Sequence, residues 1–426
     1  MPETTDPHAA LEAVVRHATV AALGEEFADV DPLVRRSDRA DFQADLALGL
    51  ARRTKKAPRA VAEAILEKID ITSSDFIEKV EIAGPGFLNV TLRASWLSSS
   101  AMKNLSDPRL GVPISATKDT VVIDYSHPNV AKEMHVGHLR STVIGDALAR
   151  VLTFRGHEVV RQNHLGDWGT PFGMLIEHLA DLGVEQAEKD LAVGELAVFY
   201  KAARTKFDAD PTFAERSRKR VVMLQSGDEK TLESWSVLVA LSKRYFELVY
   251  TKLDVTLTPR DACGESFYNP KLTPLADELE ASGAAVVSEG ALCLFPKGYA
   301  NKEGAPLPLI VRKSDGGFGY AATDLAAIRY RLTELGATRI LYVVGAPQTQ
   351  HLGMVVAAAK ELGWLAPPKR AEHVAFGSVL GTDKRMFKSR SSETVRLVDL
   401  IDEAIDRKST RLNSSHSTLS RMPSSA

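Results

Sequence analysis

Two histidines in one short turn stand where a phosphate group could bind. His135 and His138 open a helical pattern with Gly137 between them, and Lys132 comes just before. The start of a helix points unpaired backbone N–H groups and the positive end of its dipole outward, which favours an anion. Glycine lets a ligand approach the backbone closely. Two imidazoles and a lysine at such a point indicate nucleotide chemistry.

The neighbouring segments predict the elements that position this turn. Residues 121–125 form an apolar strand pattern, residues 138–155 carry apolar side chains at helical spacing, and residues 158–161 again read as a strand. Gly156 ends the helix. Strand, turn, helix and strand make a right-handed βαβ unit, whose ligands bind at the carboxyl ends of the strands.

The alternative is a purely structural one, an ordinary helix start with a histidine packed in the core. Four residues alone do not exclude it. Polar residues gather at the end of the first strand, namely Asp124, Ser126 and Asn129, and a distant loop carries Lys388. Convergent polar groups of this kind mark binding sites, so they favour a nucleoside triphosphate or a cationic substrate.

Size and composition restrict the class of protein. With 426 residues, 44% hydrophobic and 25% charged, the chain predicts at least two globular domains. Cys263 and Cys293 offer neither a disulfide framework nor a zinc spacing, and no apolar run approaches the ~20 residues that span a bilayer. We therefore expect a cytoplasmic protein with no membrane partner and no protein-bound metal.

Charge gives weaker information about partners. A net charge of −2 does not by itself indicate nucleic acid. Two local basic clusters, residues 52–59 and 216–220, could touch phosphates, although a solvated helix face is the more common explanation of a charge run.

Periodicity divides the rest of the chain. The patterns predict helices over 9–23 and 38–70, a hairpin of strands 80–82 and 87–92, a boundary within 106–118, mostly helix over 175–250, and short strands and turns over 264–308. After Gly319 comes a helix that Thr323 or Asp324 can cap. The apolar run 340–344 is typical of a strand buried on both faces, and Gln348 and His351 follow it as pocket candidates.

Four motifs in order carry a family resemblance. They are residues 124–132 running into 135–142, residues 166–170, residues 264–270 and residues 320–324. Over about residues 1–405 the chain resembles the bacterial arginyl-tRNA synthetases, a family of class I aminoacyl-tRNA synthetases. The resemblance implies an α/β fold with a Rossmann-type (HUP-like) parallel-sheet catalytic domain and a small N-terminal α+β domain, the helical anticodon-binding domain being largely absent.

The resemblance also implies a reaction. Arginine and ATP, with Mg²⁺, give arginyl-adenylate, and arginine then passes to the 3′-terminal ribose of tRNA(Arg). His135, His138, Lys132 and Lys388 would be catalytic, and His135, Gly137, His138 and Lys388 would bind ATP. The arginine-binding set would be Asp124, Ser126, Asn129, Tyr320, Asp324 and Gln348. The tRNA-binding set would be Arg52, Arg53, Lys55, Lys56 and Arg59.

The lysine loop of the class departs from its pattern. Residues 385–389 read Arg-Met-Phe-Lys-Ser where Lys-Met-Ser-Lys-Ser would stand. Arg385 replaces the first lysine and Lys388 keeps the second. Members of this family often supplement a degenerate loop with the lysine before the histidine motif, so Lys132 and Lys388 are interpreted as joint triphosphate cations.

The expected domains are residues 1–107 for the tRNA elbow, 118–396 for catalysis with an insertion at about 180–310, and 397–405 for the start of a truncated anticodon-binding domain. Residues 406–416 and 420–426 back-translate to a common short-read sequencing adapter. We therefore expect residues 406–426 to be an artefact without packed structure, and the fragment to be weak or inactive in charging. The expected enzyme is a monomer.

Two alternatives remain open at this stage. Another class I nucleotidyltransferase would explain the histidine turn but not residues 166–170 or Asp324. A catalytically silent tRNA-binding paralogue would explain the family motifs, although His135, His138 and Lys132 are intact. Arginine-dependent ATP–pyrophosphate exchange separates these possibilities.

Overall fold

The computed structural model describes residues 5–183, 196–377 and 396–407. The chain divides into two compact units, Met1–Ile114 and Ser115–Ala426, called here the N-terminal unit and the C-terminal unit. None of the helices in the described ranges is long and apolar enough to cross a membrane.

The N-terminal unit packs helices on an antiparallel sheet. Its elements are α1 (Pro7–Leu23), β1 (Val34–Arg36), β2 (Phe42–Ala44), α2 (Leu46–Thr54), α3 (Pro58–Leu66), β3 (Ile77–Ala83), β4 (Phe87–Leu92) and α4 (Ala94–Ser106). The sheet order is β1-β2-β4-β3. One apolar core joins the sheet to α1, α2 and α3, through residues such as Leu11, Leu50, Ile65 and Leu88. The predicted hairpin is confirmed.

The helical prediction over residues 38–70 is confirmed for Leu46–Thr54 and Pro58–Leu66 and wrong for Phe42–Ala44, which form strand β2. The segment contains strand β2 and two helices, with a break at Lys55, whose φ of 52° lies in the left-handed region. Pro58 takes the first turn of α3, where its missing N–H costs nothing. The residue before a proline is steered to extended backbone, and Ala57 follows that rule with ψ 142°.

The C-terminal unit combines a parallel sheet with many helices. Its elements are β5 (Thr120–Asp124), α5 (Val136–Phe154), β6 (Glu158–Gln162), α6 (Pro171–Leu182), α7 (Leu196–Ala209), α8 (Pro211–Ser226), α9 (Glu229–Lys252), α10 (Glu265–Ala281), β7 (Val286–Ser288), β8 (Ala291–Leu294), β9 (Leu309–Arg312), α11 (Tyr320–Thr333), β10 (Arg339–Tyr342), α12 (Thr349–Glu361), β11 (Arg370–His373) and α13 (397–407). A smaller antiparallel sheet has the order β7-β8-β9.

The parallel sheet has the order β11-β10-β5-β6. Its register places the last residues of the four strands side by side, since Tyr342 pairs with both Asp124 and His373, and Asp124 pairs with Gln162. These residues form the carboxyl edge of the sheet. Helices cover both faces, and the central strands β5 and β10 are buried and carry apolar runs, as expected. The predicted βαβ unit and doubly covered parallel sheet are confirmed.

Helix α5 lies very close to strand β5. A Cβ atom on Gly145 would stand 2.3 Å from Cγ of Tyr125, so the ring at the strand end fills the space that a larger residue would need. The Tyr125 hydroxyl donates to Asp146 at 3.2 Å. These contacts fix the middle of α5 against the residue that follows β5.

The turns and short strands predicted over residues 264–308 are wrong for their first part. Residues 265–281 form helix α10, although Pro270 and Pro274 lie inside it. The helix buries one apolar face, on which Tyr268 and Leu272 are 0% and 4% exposed. Burial of several such side chains, at about 1.5–3 kcal/mol each, offsets the hydrogen bonds that two prolines remove.

The last described helix packs on the core of the C-terminal unit. In α13, Leu397 and Ile401 pack into the same apolar cluster as Phe246 and Val249. The Leu397 N–H donates to the Met134 carbonyl at 2.9 Å. Helix α13 includes residues 406 and 407, for which the sequence predicts no structure; residues 408–426 lie outside the described residues.

Candidate active site at the carboxyl edge

The loop from β5 to α5 has an unusual backbone. Ser126, His127 and Ala131 have φ values of 81°, 55° and 59°. Side chains with a Cβ atom avoid this left-handed region, at a cost of about 1–2 kcal/mol per residue. Such outliers cluster at functional sites, where surrounding structure holds them in place. The loop therefore qualifies as a candidate binding loop on backbone grounds alone.

The two histidines cap α5 reciprocally. The Gly137 N–H donates to Nδ1 of His135 at 3.1 Å, and the His135 N–H donates to Nδ1 of His138 at 3.1 Å. A backbone N–H can only donate, so Nδ1 of each ring accepts, and the proton of the neutral ring lies on Nε2. The ring centroids are 4.1 Å apart. In each ring, therefore, Nδ1 accepts from the backbone at the helix start, and Nε2–H remains as a donor on the other side of the ring.

Both rings are neutral near pH 7. Burial lowers the pKa of His135, and Lys132 lowers it further. Burial lowers the pKa of His138 to about 3, and His135 acts in the same direction. The histidines therefore supply N–H dipoles, while the positive charge of this turn comes from Lys132 and the helix start.

Lys132 is exposed, and its ammonium lies 4.7 Å from the centre of the Tyr200 ring. That ring holds the cation by a cation–π contact. The second predicted cation, Lys388, and the neighbouring Arg385 lie outside the described residues. Their joint action with Lys132 stays a prediction.

Asp124 ends β5 and has both carboxylate oxygens engaged. Oδ1 accepts from Nε2 of His127 at 2.8 Å, and Oδ2 accepts from the guanidinium of Arg331 at 2.7 Å. Arg331 is fully buried, and its Nε donates to Gln162 at 2.5 Å. Burial alone would raise the pKa of Asp124, but Arg331 and His127 hold that pKa well below its usual range. Asp124 is therefore a fixed anion whose charge Arg331 balances.

Two other predicted arginine ligands, Ser126 and Asn129, differ in their exposure. Ser126 is 1% exposed, and its hydroxyl lies 2.8 Å from the Tyr250 hydroxyl and 3.0 Å from the Thr142 hydroxyl. Ser126 is therefore buried with its hydroxyl already engaged by two protein groups. Asn129 is exposed and lies beside Gly166 at an isolated parallel bridge. Asn129 fits its predicted role more readily than Ser126 does.

The remaining predicted arginine ligands come from the starts of two helices. Tyr320 begins α11 and is 77% exposed, Asp324 follows one turn later, and Gln348 is an exposed residue at the start of α12. The capping role predicted for Thr323 or Asp324 is wrong, because α11 begins earlier, with Gly319 as its N-cap. Asp324 instead accepts from Nε2 of His351 at 2.6 Å.

Sequence reasoning missed one acidic residue, Glu265. Burial raises the pKa of Glu265 to about 7, and the charges of Asp167 and Asp324 raise it in the same direction. Asp167 accepts from the backbone and the hydroxyl of Ser266 at 2.8 and 2.7 Å, which brings the 166–170 and 264–270 motifs together. Both motifs were visible in the sequence, but their spacing did not show that their carboxylates share one region.

This group of carboxylates suits a cation. Electrostatic effects link Glu265 to Asp324, and His164 to both Asp124 and Asp324. A guanidinium offers only donors, in a planar fork, so carboxylates are its natural partners. The geometry therefore combines donors for an anion at the start of α5 with acceptors for a cation near α10 and α11.

The two basic clusters have different surroundings. In residues 216–220, Arg216 pairs with Asp181 and Glu177, and Arg220 pairs with Glu177, so these cations hold α8 on α6. In residues 52–59, Arg53 lies over the Phe27 ring and Arg59 pairs with Glu63. Arg52, Arg53, Lys55, Lys56 and Arg59 are all exposed. The 52–59 cluster therefore keeps all five of its cations at the surface, whereas Arg216 and Arg220 are committed to carboxylates of α6.

Comparison with known proteins decides the family. The chain matches the model of the class I tRNA synthetases (R), catalytic domain, over residues 102–421, and the arginyl tRNA synthetase N terminal domain over residues 9–92. The chain belongs to the arginyl-tRNA synthetase family of class I. The resemblance drawn from the four motifs is confirmed, and so is the α/β fold with its parallel sheet and N-terminal domain.

Relatives and solved structures agree with this family. The arginine–tRNA ligase of Thermobifida fusca is 55% identical over 404 residues, which cover 95% of this chain and 69% of the relative. That of Nostoc sp. is 48% identical over 402 residues, 93% of this chain and 68% of the relative. Arginyl-tRNA synthetase from Plasmodium falciparum has a TM-score of 0.79 at 27% identity, covering 97% of this chain and 70% of the other. The Thermus thermophilus structure, at 21% identity, shares the fold with a TM-score of 0.76, covering 98% of this chain and 72% of the other.

Proposed function

We propose that the chain is an arginine–tRNA ligase, which activates arginine with ATP to arginyl-adenylate and transfers it to the 3′-terminal ribose of tRNA(Arg). The observation that carries the proposal is the pairing of two sets of groups at one sheet edge. Neutral histidines cap α5 through Nδ1 and keep Nε2–H as donors, and Asp324 and Glu265 provide carboxylates for a cationic side chain. Family membership and the names of its close relatives support the same activity.

The first half-reaction needs positioning more than covalent catalysis. The arginine carboxylate attacks the α-phosphorus of ATP, and the bond to pyrophosphate breaks, so negative charge grows on the leaving oxygens. Nε2–H donors of His135 and His138 are suited to stabilise that charge, since their Nδ1 atoms are already engaged. In the second half-reaction a ribose hydroxyl of the tRNA displaces AMP. Neither step requires a nucleophile from the protein.

Magnesium is assigned to the nucleotide. Mg²⁺ keeps several waters and commonly binds through substrate phosphates. Among residues 5–183, 196–377 and 396–407, no group of three or more histidine, cysteine, aspartate or glutamate side chains is placed to hold a metal ion. We propose that magnesium enters with ATP.

The function is tested by ATP–pyrophosphate exchange, with and without tRNA, using each of the twenty amino acids. Exchange that depends on arginine supports the ligase. Binding of tRNA without any exchange would favour the silent paralogue, and exchange with another amino acid or none would favour another nucleotidyltransferase.

Arginine is expected to bind about tenfold more tightly at about pH 8 than at about pH 6, because Glu265 ionises over this interval. The pKa of Glu265 is raised to about 7, so the residue loses its proton as the pH rises and becomes a better partner for a guanidinium. Calorimetric titration at several pH values measures the effect. The Glu265→Gln variant should bind more weakly at high pH and lose most of the pH dependence. An unchanged pH dependence in that variant would assign it to another group, such as His351.

We also propose that the N-terminal unit contacts tRNA through the exposed cluster at residues 52–59. Neutralising Arg52, Arg53, Lys55, Lys56 and Arg59 together should weaken tRNA binding. The slope of log K against log salt concentration should also become shallower, by up to about 0.9 per lost phosphate contact. Filter binding across a salt series measures both. The control neutralises Lys302 and Lys313, which are exposed in the C-terminal unit. Unchanged affinity in the first variant would refute the proposal.

Location and assembly are proposals as well. Cys263 and Cys293 are both buried free thiols, which suits a reducing compartment such as the cytoplasm. We propose that the enzyme acts there as a monomer. Sedimentation analysis of the purified chain tests the assembly state.

A further inference from the structure

His351 is the one pocket candidate from the sequence that the proposed reaction leaves without a role. It lies in the first turn of α12, and its Nε2 is 2.6 Å from Oδ2 of Asp324 in α11. The side chains of His351 and Asp324 are 32% and 24% exposed. The pair is thus partly shielded and partly open, as a ligand-facing carboxylate and its support would be.

The direction of this hydrogen bond does not depend on pH in the neutral range. An ionised carboxylate can only accept, so Nε2 of His351 carries the hydrogen. Nε2 keeps that hydrogen in the neutral tautomer that makes this bond, and also in the imidazolium. The bond therefore fixes the same oxygen of Asp324 in either protonation state.

We propose that His351 is a positioning residue that orients the carboxylate of Asp324 for the guanidinium of arginine. This inference rests on the proposed function. The terminal torsion of an aspartate is broad, so an unsupported carboxylate rotates. A guanidinium binds best to two oxygens held in its own plane. The bond to Oδ2 fixes that plane and leaves Oδ1 and the second lone pair of Oδ2 for the substrate.

A purely structural role is the main competitor, and the packing argues against it. Helices α11 and α12 already share an apolar core, in which Leu325, Val355 and Ala358 are at most 2% exposed. Two helices joined in this way do not need a partly exposed polar bond to stay together. The bond is thus free to serve orientation.

The test replaces His351 by alanine in the full chain. Calorimetry should show about tenfold weaker binding of arginine, and of agmatine, which carries the guanidinium but no carboxylate. The KM for ATP should stay within about twofold, and kcat for pyrophosphate exchange should fall less than the arginine affinity. The His351→Gln variant, whose amide can reach the same oxygen, should recover most of the affinity. Gln350→Ala, in the same exposed turn, should behave like the wild type.

A double mutant tests whether His351 acts through Asp324. If His351 acts through Asp324, then His351→Ala should add little to the loss of agmatine binding already caused by Asp324→Asn. Additive losses, or wild-type arginine affinity in His351→Ala, would overturn the inference and leave the proposed function standing. A wild-type chain that binds neither arginine nor agmatine would overturn the proposed function and the inference together.

Discussion

Replacement of Gly137 by alanine is expected to lower kcat for arginine-dependent pyrophosphate exchange about hundredfold while the protein stays folded. The added Cβ would lie 2.7 Å from Cε1 and 2.9 Å from Nδ1 of the His135 ring. The ring sits at the end of a side chain and can move, so folding loses about 1 kcal/mol, the worth of a helix cap. Once displaced, His135 no longer presents its Nε2–H toward the leaving group.

The control is another glycine within a helix. A Cβ on Gly49, in α2, would meet no atom within 4 Å, so Gly49→Ala should leave exchange unchanged. Steady-state exchange kinetics and thermal unfolding of the three proteins measure activity and stability separately. Wild-type kcat in Gly137→Ala would show that the position of the His135 ring is not important for catalysis.

Replacement of Arg331 by methionine is expected to destabilise the C-terminal unit by about 3–5 kcal/mol, because it leaves the buried carboxylate of Asp124 without its cation. Urea unfolding measures this loss. The pKa of Asp124 is depressed in the wild type, so the pair contributes stability above the unfolded pKa and loses it as the pH falls toward the folded pKa. The difference between variant and wild type should therefore be largest near neutral pH and shrink in acid.

Arg329 offers a matched comparison on the same helix. It pairs with Glu278 at 2.6 Å, but its side chain is 38% exposed, so Arg329→Met should cost about 1 kcal/mol or less. Removing both members of the buried pair, in Arg331→Met with Asp124→Leu, should cost less than the sum of the single changes. Equal losses for Arg331→Met and Arg329→Met would contradict the assigned importance of the buried pair.

Local pattern explains which elements were predictable. The strands at residues 121–125 and 340–344 were evident because a strand covered on both faces needs an apolar run. Helix α10 was not, since Pro270 and Pro274 are local breakers and the buried face that outweighs them depends on the whole fold. The break at Lys55 was equally hidden, because a single left-handed residue leaves no periodic signal.

The site residues also divide into those that the sequence could predict and those that only the fold brings together. His135, His138 and Lys132 lie within one turn, so their spacing alone indicated phosphate chemistry. The partner of Asp124 is Arg331, 207 residues away, and no spacing rule connects them. The same holds for the carboxylates of Asp167, Glu265 and Asp324, which only the fold brings into electrostatic contact.

The left-handed backbone at Ser126, His127 and Ala131 bears on how this enzyme would respond to selection for heat resistance. Glycine at any of these positions would remove a conformational cost of about 1–2 kcal/mol, less the roughly 1 kcal/mol by which glycine loosens the unfolded chain. Ala131 has no polar group to lose, whereas Ser126 and His127 would give up their contacts with Tyr250 and Asp124. Laboratory evolution toward stability alone should therefore change Ala131 first and retain Ser126 and His127, whose side-chain contacts would be lost.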